Sequence, residues 1–172
     1  LKACLVLTIL IASLSCPPAL ATPSPTGTAR SQPTSGPLTD FVYKLCLKEF
    51  PKPKAKEKAE YYSRLIADAA AEADLPASVV ASVVWHESNF RPLSVSSCGA
   101  LGLMQVMPFH FRKGENWRDP KTNLKVGCRV LRGYWLRYDR DPHRALTAYC
   151  WGPANVSRGM SRSRYSRAVL GH

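Results

Sequence analysis

Acidic side chains are scarce in this chain: 12 Asp and Glu stand against 24 Lys and Arg, for a net charge of +12. An excess of that size attracts polyanions over long range, so nucleic acid, anionic lipid surfaces and anionic wall polymers all fit. No nucleic-acid-binding motif accompanies the charge, which argues against a dedicated DNA or RNA binder. The basic residues form no single block. Lys52, Lys54, Lys56 and Lys58 make one small cluster, and Arg158, Arg162, Arg164 and Arg167 another, each readable as a solvated face. No cysteine pair has C-x-x-C spacing, so neither a zinc site nor a dithiol motif is indicated. Sustained period-two alternation is absent, which argues against a sheet-built domain. The N-terminal apolar run, Ala3 to Leu14, falls short of the roughly 20 residues that cross a bilayer.

What is present fits one ordinary domain behind a leader. The 172 residues are 45% hydrophobic and 21% charged, which are globular values. Lys2, the apolar run and the small residues of Ala19-Leu20-Ala21 read as a secretory signal peptide over residues 1–21. Cys16 opens the alternative of a lipid anchor, although Ser13-Leu14-Ser15 makes a poor lipobox. Residues 22–38 are rich in Pro, Ser, Thr and Gly and read as a disordered linker. Residues 39–172 form the folded domain. Export implies an oxidising compartment, so Cys46, Cys98, Cys128 and Cys150 are candidates for one or two disulfides, with three complete connectivities open.

The domain is expected to be mainly α. Phe41 to Phe50 predicts a short helix ended by Pro51 and Pro53. Apolar residues at three-and-four spacing predict an amphipathic helix from Lys56 to Asp74. Pro76 predicts the first residue of a third helix with Val79, Val80, Val83 and Val84 on its apolar face. Residues 89–98 read as a loop and 100–107 as a short core helix. Asp119-Pro120 and Asp141-Pro142 are start signals for two more helices, and Tyr165 to Leu170 predicts a last one.

Glu87 is the residue that carries chemistry. It lies four residues after Val83 and three after Val84, so the last turn of an apolar face presents a carboxyl group. Burial disfavours the charged form and raises the pKa, as general acid catalysis on a glycosidic bond requires. A carboxylate paired with an arginine at a helix end would give the same pattern without any chemistry.

Three segments single out a family. Glu87-Ser88-Asn89-Phe90-Arg91-Pro92 is followed by Gly99-Ala100-Leu101-Gly102-Leu103-Met104-Gln105-Val106-Met107-Pro108, then by Asn123 with Gly127, and by Ala148-Tyr149-Cys150-Trp151-Gly152-Pro153. In this order they resemble the soluble lytic transglycosylase catalytic domain of the lysozyme-like superfamily, from roughly Ser78 to the C-terminus. The resemblance implies a lysozyme-like helical domain with a substrate cleft. It implies Glu87 as the catalytic residue, Ser96 facing the sugar cleft, and Gln105 and Met107 lining it. It further implies that Tyr149 positions the carboxyl and that Tyr165 packs near the site. Trp151 is the candidate for stacking on a sugar. Each has a plainer reading: Ser96 as a turn hydroxyl, Gln105 as an amide satisfying backbone groups, Met107 and Tyr165 as core. His86 and Cys150 depart from the family's usual Gln and Asn. Cys98 and Cys150 flank the implied site, which leaves open a bridge that braces it.

The family's reaction needs one carboxyl group, not the usual two. The resemblance implies cleavage of the β-1,4 bond between N-acetylmuramic acid and N-acetylglucosamine, with a 1,6-anhydro end as product. It implies no metal and no organic cofactor. The expected partner is the glycan strand of peptidoglycan, with no nucleic acid and no membrane segment after leader cleavage. The expected state is a monomer in the periplasm or cell envelope. A water-using muramidase and a peptidoglycan-binding module without activity are the alternatives.

Overall fold

Proline-led starts set most of the helices. The computed structural model describes residues 36–171, and the first two helices in them are α1 (Pro37–Cys46) and α2 (Lys52–Glu72). Pro53 sits in the first turn of α2, where its missing N–H costs nothing, so α2 starts four residues before the expected Lys56. Pro37 and Leu38, read as the end of the linker, open α1, and Leu38 packs on the core. Pro76 is the extended N-cap of α3 (Ala77–Ser88) and not its first residue. Asp119 caps α4 (Pro120–Arg137) by accepting from Thr122 N at 2.9 Å. Asp141 caps α5 (Pro142–Trp151) through His143 N and Arg144 N. A five-residue helix that the sequence did not announce, α6 (Pro153–Ser157), follows Gly152, and α7 (Arg164–Leu170) closes the domain from a Ser163 cap.

One buried cluster joins these pieces. It takes Val42 and Leu45 from α1, Ile66 from α2, and Val80, Val83 and Val84 from α3. Phe90, Leu103 and Met104 enter from the connecting segment, Leu124, Leu131 and Trp135 from α4, Leu146 from α5 and Val169 from α7. Helix α3 packs on α1, α2 and α7, and α5 packs on α4, α6 and α7. The docking of α7 between α3 and α5 is what brings their side chains to a common site.

Residues 100–107 are not a helix. They form turns with isolated bridges, Val95 to Leu101 and Leu101 to Val106, before a 3-10 turn at Pro108–His110. Gly102 (φ 75°) and Gln105 (φ 48°) are left-handed, which a right-handed helix does not admit. Buried Asn123 supplies the bonds a helix would have made: its Oδ1 accepts from Met104 N at 2.9 Å, and its Nδ2 donates to Leu101 O at 3.0 Å. A Cβ on Gly102 would land 2.2 Å from Asn123 Nδ2, and one on Gly127 would land 2.4 Å from Met104 Sδ. Both glycines are there for close approach. Gly133 differs: it is exposed within α4, and a Cβ there would meet nothing within 4 Å. It carries the about 1 kcal/mol cost of a mid-helix glycine without a packing reason.

The four cysteines expected as disulfide candidates are free thiols in this structure. Cys46 is buried on α1 near Lys58, and Cys128 is buried on α4 with its Sγ 4.0 Å from Met104 Sδ. Cys98 is exposed in a turn and Cys150 is exposed on α5, so each sits in its own surroundings. The signal peptide, Cys16 and residues 22–35 of the linker lie outside the described residues. Among the described residues no helix is long and apolar enough to cross a membrane.

Candidate active site

Glu87 stands on the last turn of α3, and the chain fixes that turn tightly. Asn89 is left-handed (φ 50°) and its N–H closes the helix on Trp85 O at 2.9 Å. Phe90 is left-handed as well (φ 55°), fully buried, and packed on the rings of Tyr62 and Trp85. Lys58 reaches across from α2 and donates to Phe90 O at 2.9 Å. Two successive left-handed residues that are not glycine are strained, and burial plus this lysine hold them.

The Glu87 carboxyl is half-buried. Burial pushes its pKa above the usual carboxylate value, and a hydrogen bond from Tyr165 pulls it part of the way back. That bond is short, 2.6 Å from the Tyr165 hydroxyl to Glu87 Oε1. Tyr165 comes from the first turn of α7, so the docking of α7 on α3 decides it. Burial first, then the Glu87 charge, drives the phenol's own pKa far up, so it stays a donor.

The sign of Tyr165's influence gives an expected result. Its hydrogen bond favours the charged carboxylate, so in Tyr165→Phe the pKa of Glu87 rises. Any reaction that uses protonated Glu87 as acid then keeps its activity to higher pH, and the alkaline limb of the pH–rate profile moves up. A profile that stays in place or moves down contradicts the assignment of this bond.

The hydroxyls of the two tyrosines make different bonds. Tyr149, expected to position the carboxyl, donates instead to Met104 O at 2.7 Å and so ties α5 to the 100–107 segment. It remains near enough for the Glu87 charge to push its pKa up, after burial. Tyr165, read as packing, makes the direct bond to the acid. Cys150, which follows Tyr149, has its thiol pushed up to about 11 by burial and by the Glu87 charge.

Gln105, Met107 and Tyr149 line one depression together with Val106, His110, Val130 and Tyr134. Gln105 also donates through Nε2 to Gly102 O at 2.9 Å and to Ser94 O at 3.2 Å, so its amide serves the backbone of the turn. Ser96 Oγ accepts from Ala100 N at 2.9 Å and closes the preceding turn. Trp151 is 55% exposed at the C-terminal end of α5, so a face of its ring is free to meet a ligand. His110, Val130 and Tyr134 were not singled out in the sequence. Their only signal was that Val130 and Tyr134, four residues apart, share a face of α4.

Glu87 on α3 and Tyr165 on α7 thus meet in a helical domain whose α5 carries Tyr149 to the depression at Gln105 and Met107. The fold is shared with the 70 kDa soluble lytic transglycosylase of Escherichia coli, with a TM-score of 0.57 at 20% identity over 77% of this chain and 28% of that one. It is likewise shared with an inactive mutant of lytic transglycosylase Slt from Pseudomonas aeruginosa, with a TM-score of 0.54 at 19% identity over 78% of this chain and 26% of that one. The model of the Transglycosylase SLT domain family matches residues 64–168, and the chain belongs to that family. In sequence it is 36% identical over 107 residues to a transglycosylase of Enterobacteria phage PRD1, covering 61% of this chain and 40% of the phage protein. It is 29% identical over 133 residues to membrane-bound lytic murein transglycosylase C of Pectobacterium atrosepticum, covering 66% of this chain and 37% of that protein. The chain thus spans well under half the length of these relatives.

Proposed function

We propose that this protein is a peptidoglycan lytic transglycosylase, exported to the cell envelope by its N-terminal leader, with Glu87 as acid and then base. The observation that carries the proposal is the Glu87 carboxyl: half-buried, raised in pKa by that burial, and bonded by the Tyr165 hydroxyl at 2.6 Å. A two-carboxylate glycosidase needs a partner acid within roughly 10 Å. Here the substrate supplies that group.

Protonated Glu87 donates to the oxygen that bridges C1 of N-acetylmuramic acid to C4 of N-acetylglucosamine, and the C1–O bond breaks. The acetamido oxygen of the muramoyl unit closes on C1 and takes up the positive charge. Glu87, now a carboxylate and bonded by the Tyr165 hydroxyl, accepts the proton of the C6 hydroxyl. O6 displaces the acetamido oxygen at C1, which forms the 1,6-anhydro ring and returns the proton to Glu87. No water enters the product. Gln105, Met107, Tyr149 and Trp151 are the side chains we assign to strand contact, and Ser96 to the shape of the neighbouring turn. The monomer suffices for these steps.

The test is the mass of the fragments released from purified peptidoglycan by the full chain. Anhydromuramoyl ends, lighter than reducing ends by one water, are the expected product. Reducing ends instead would assign a muramidase, and strand binding without any fragment a binding module.

A further inference from the structure

The hydroxyl that bonds Glu87 comes from a short helix. Helix α7 has seven residues, too few to be stable alone, so its neighbours decide where it lies. Val169 anchors its far end in the core. Apolar burial is non-directional and does not by itself fix how a short helix is rotated or how far it slides. The end that carries Tyr165 is held by other means, a cluster of buried polar groups.

Thr147 on α5 is fully buried and meets Ser163, the N-cap of α7. Its Oγ1 donates to Ser163 Oγ at 3.0 Å and accepts from Ser163 N at 3.3 Å. Ser163 Oγ also accepts from Ser166 N at 3.0 Å, and the Ser166 hydroxyl donates to Ser163 O at 3.0 Å. His143 Nδ1 lies 3.2 Å from Ser166 Oγ. With the hydroxyl proton directed to Ser163 O, the imidazole N–H is the donor of that contact. Two residues one turn apart on α5 thus grip the two serines between which Tyr165 stands. Capping alone does not call for this. A cap needs only the bond from Ser166 N to Ser163 Oγ, and a valine at 147 would fill the same space. A buried hydroxyl costs stability unless it is bonded, and a closed network of such bonds admits one geometry where apolar packing admits several.

We propose that Thr147 is a positioning residue, which holds the start of α7 in place so that the Tyr165 hydroxyl keeps its bond to Glu87, with His143 assisting through Ser166. The bond at stake has little slack, since a retreat of about 1 Å takes the hydroxyl beyond hydrogen-bonding distance. The inference rests on the proposed function only for its rate measurement. Besides Tyr165, the Glu87 charge reaches Tyr149 and Cys150 on α5, and the ring of His86 lies 6.3 Å from that of Tyr165. Substitution at 147 removes none of these groups.

The experiment follows the Glu87 side-chain carboxyl by carbon-13 NMR through a pH titration of the full chain, which needs no activity. Thr147→Val should raise the Glu87 pKa, in the same direction as Tyr165→Phe, and Thr147→Ser should titrate as wild type. In Tyr165→Phe, Thr147→Val should add no further shift, because the bond it acts through is gone. His143→Ala, at the partly exposed end of the network, should give a smaller rise that is likewise absent without the Tyr165 hydroxyl, and it decides the matter if Thr147→Val folds poorly. Ser63→Ala breaks a comparable hydroxyl pair, with Thr39 between α1 and α2, and should lower the melting temperature without moving the titration. On peptidoglycan, Thr147→Val should lower kcat about fivefold with KM unchanged, the scale of one hydrogen bond. A Thr147→Val chain that titrates as wild type, a shift that persists in Tyr165→Phe, or an equal shift in Ser63→Ala would overturn the proposal. Absence of cleavage by the wild type would sink the proposed function, and the titration would still decide the role of Thr147.

Discussion

Glu87→Gln is expected to release peptidoglycan fragments about a thousandfold more slowly than wild type, within the range that general acid–base groups contribute. The amide matches the carboxyl in shape and still accepts the Tyr165 hydroxyl bond, but it cannot deliver a proton or take one back. The same substitution should not cost stability. Burial holds the folded-state pKa of Glu87 above its usual 4.5. The folded state therefore binds that proton more tightly than the unfolded state. The stabilisation is fully present below the usual value and is lost as pH rises through the folded-state pKa. Above the usual value this raised pKa makes the half-buried Glu87 a net cost to folding, so Glu87→Gln should melt at or above the wild-type temperature. Fragment release and thermal melting, measured on the same preparation, check both halves. Retained activity removes Glu87 from the chemistry, and a marked drop in melting temperature makes the loss uninformative.

Asn123→Ala should be the most damaging substitution away from the acid. The side chain is fully buried, and three backbone groups depend on it: Met104 N, Leu101 O and Trp117 O. An alanine leaves these without partners and opens a void, at a cost of roughly 3–5 kcal/mol. For a domain of this size that lowers the melting temperature by roughly 10 °C. Activity should fall further than stability explains, because Met104 O also receives the Tyr149 hydroxyl and the same segment carries Gln105 and Met107. A melting shift under about 2 °C would mean that the segment holds its shape without this amide.

The helices and Glu87 were legible because local pattern decides them. Residues three and four apart share a helix face in any context, and Asp119 and Asp141 cap their helices as their position before proline implies. Residues 100–107 misled because their apolar run fits a helix, while Asn123, about twenty residues away, holds Gly102 and Gln105 left-handed. Helix α6 has five residues, too few for a periodic signal. The roles of Tyr149 and Tyr165 could not be read because a hydroxyl's partner depends on how α5 and α7 dock. The family motif marks both positions and specifies neither bond.

The central claim is that one carboxyl group and the substrate's own C6 hydroxyl cut the strand without water. Digestion of purified peptidoglycan in oxygen-18 water by the full chain, beside Glu87→Gln, tests it most directly. The expected result is anhydromuramoyl ends with no heavy oxygen from the wild type and no fragments from the variant. Heavy oxygen at new reducing ends, or undiminished release by Glu87→Gln, would contradict it.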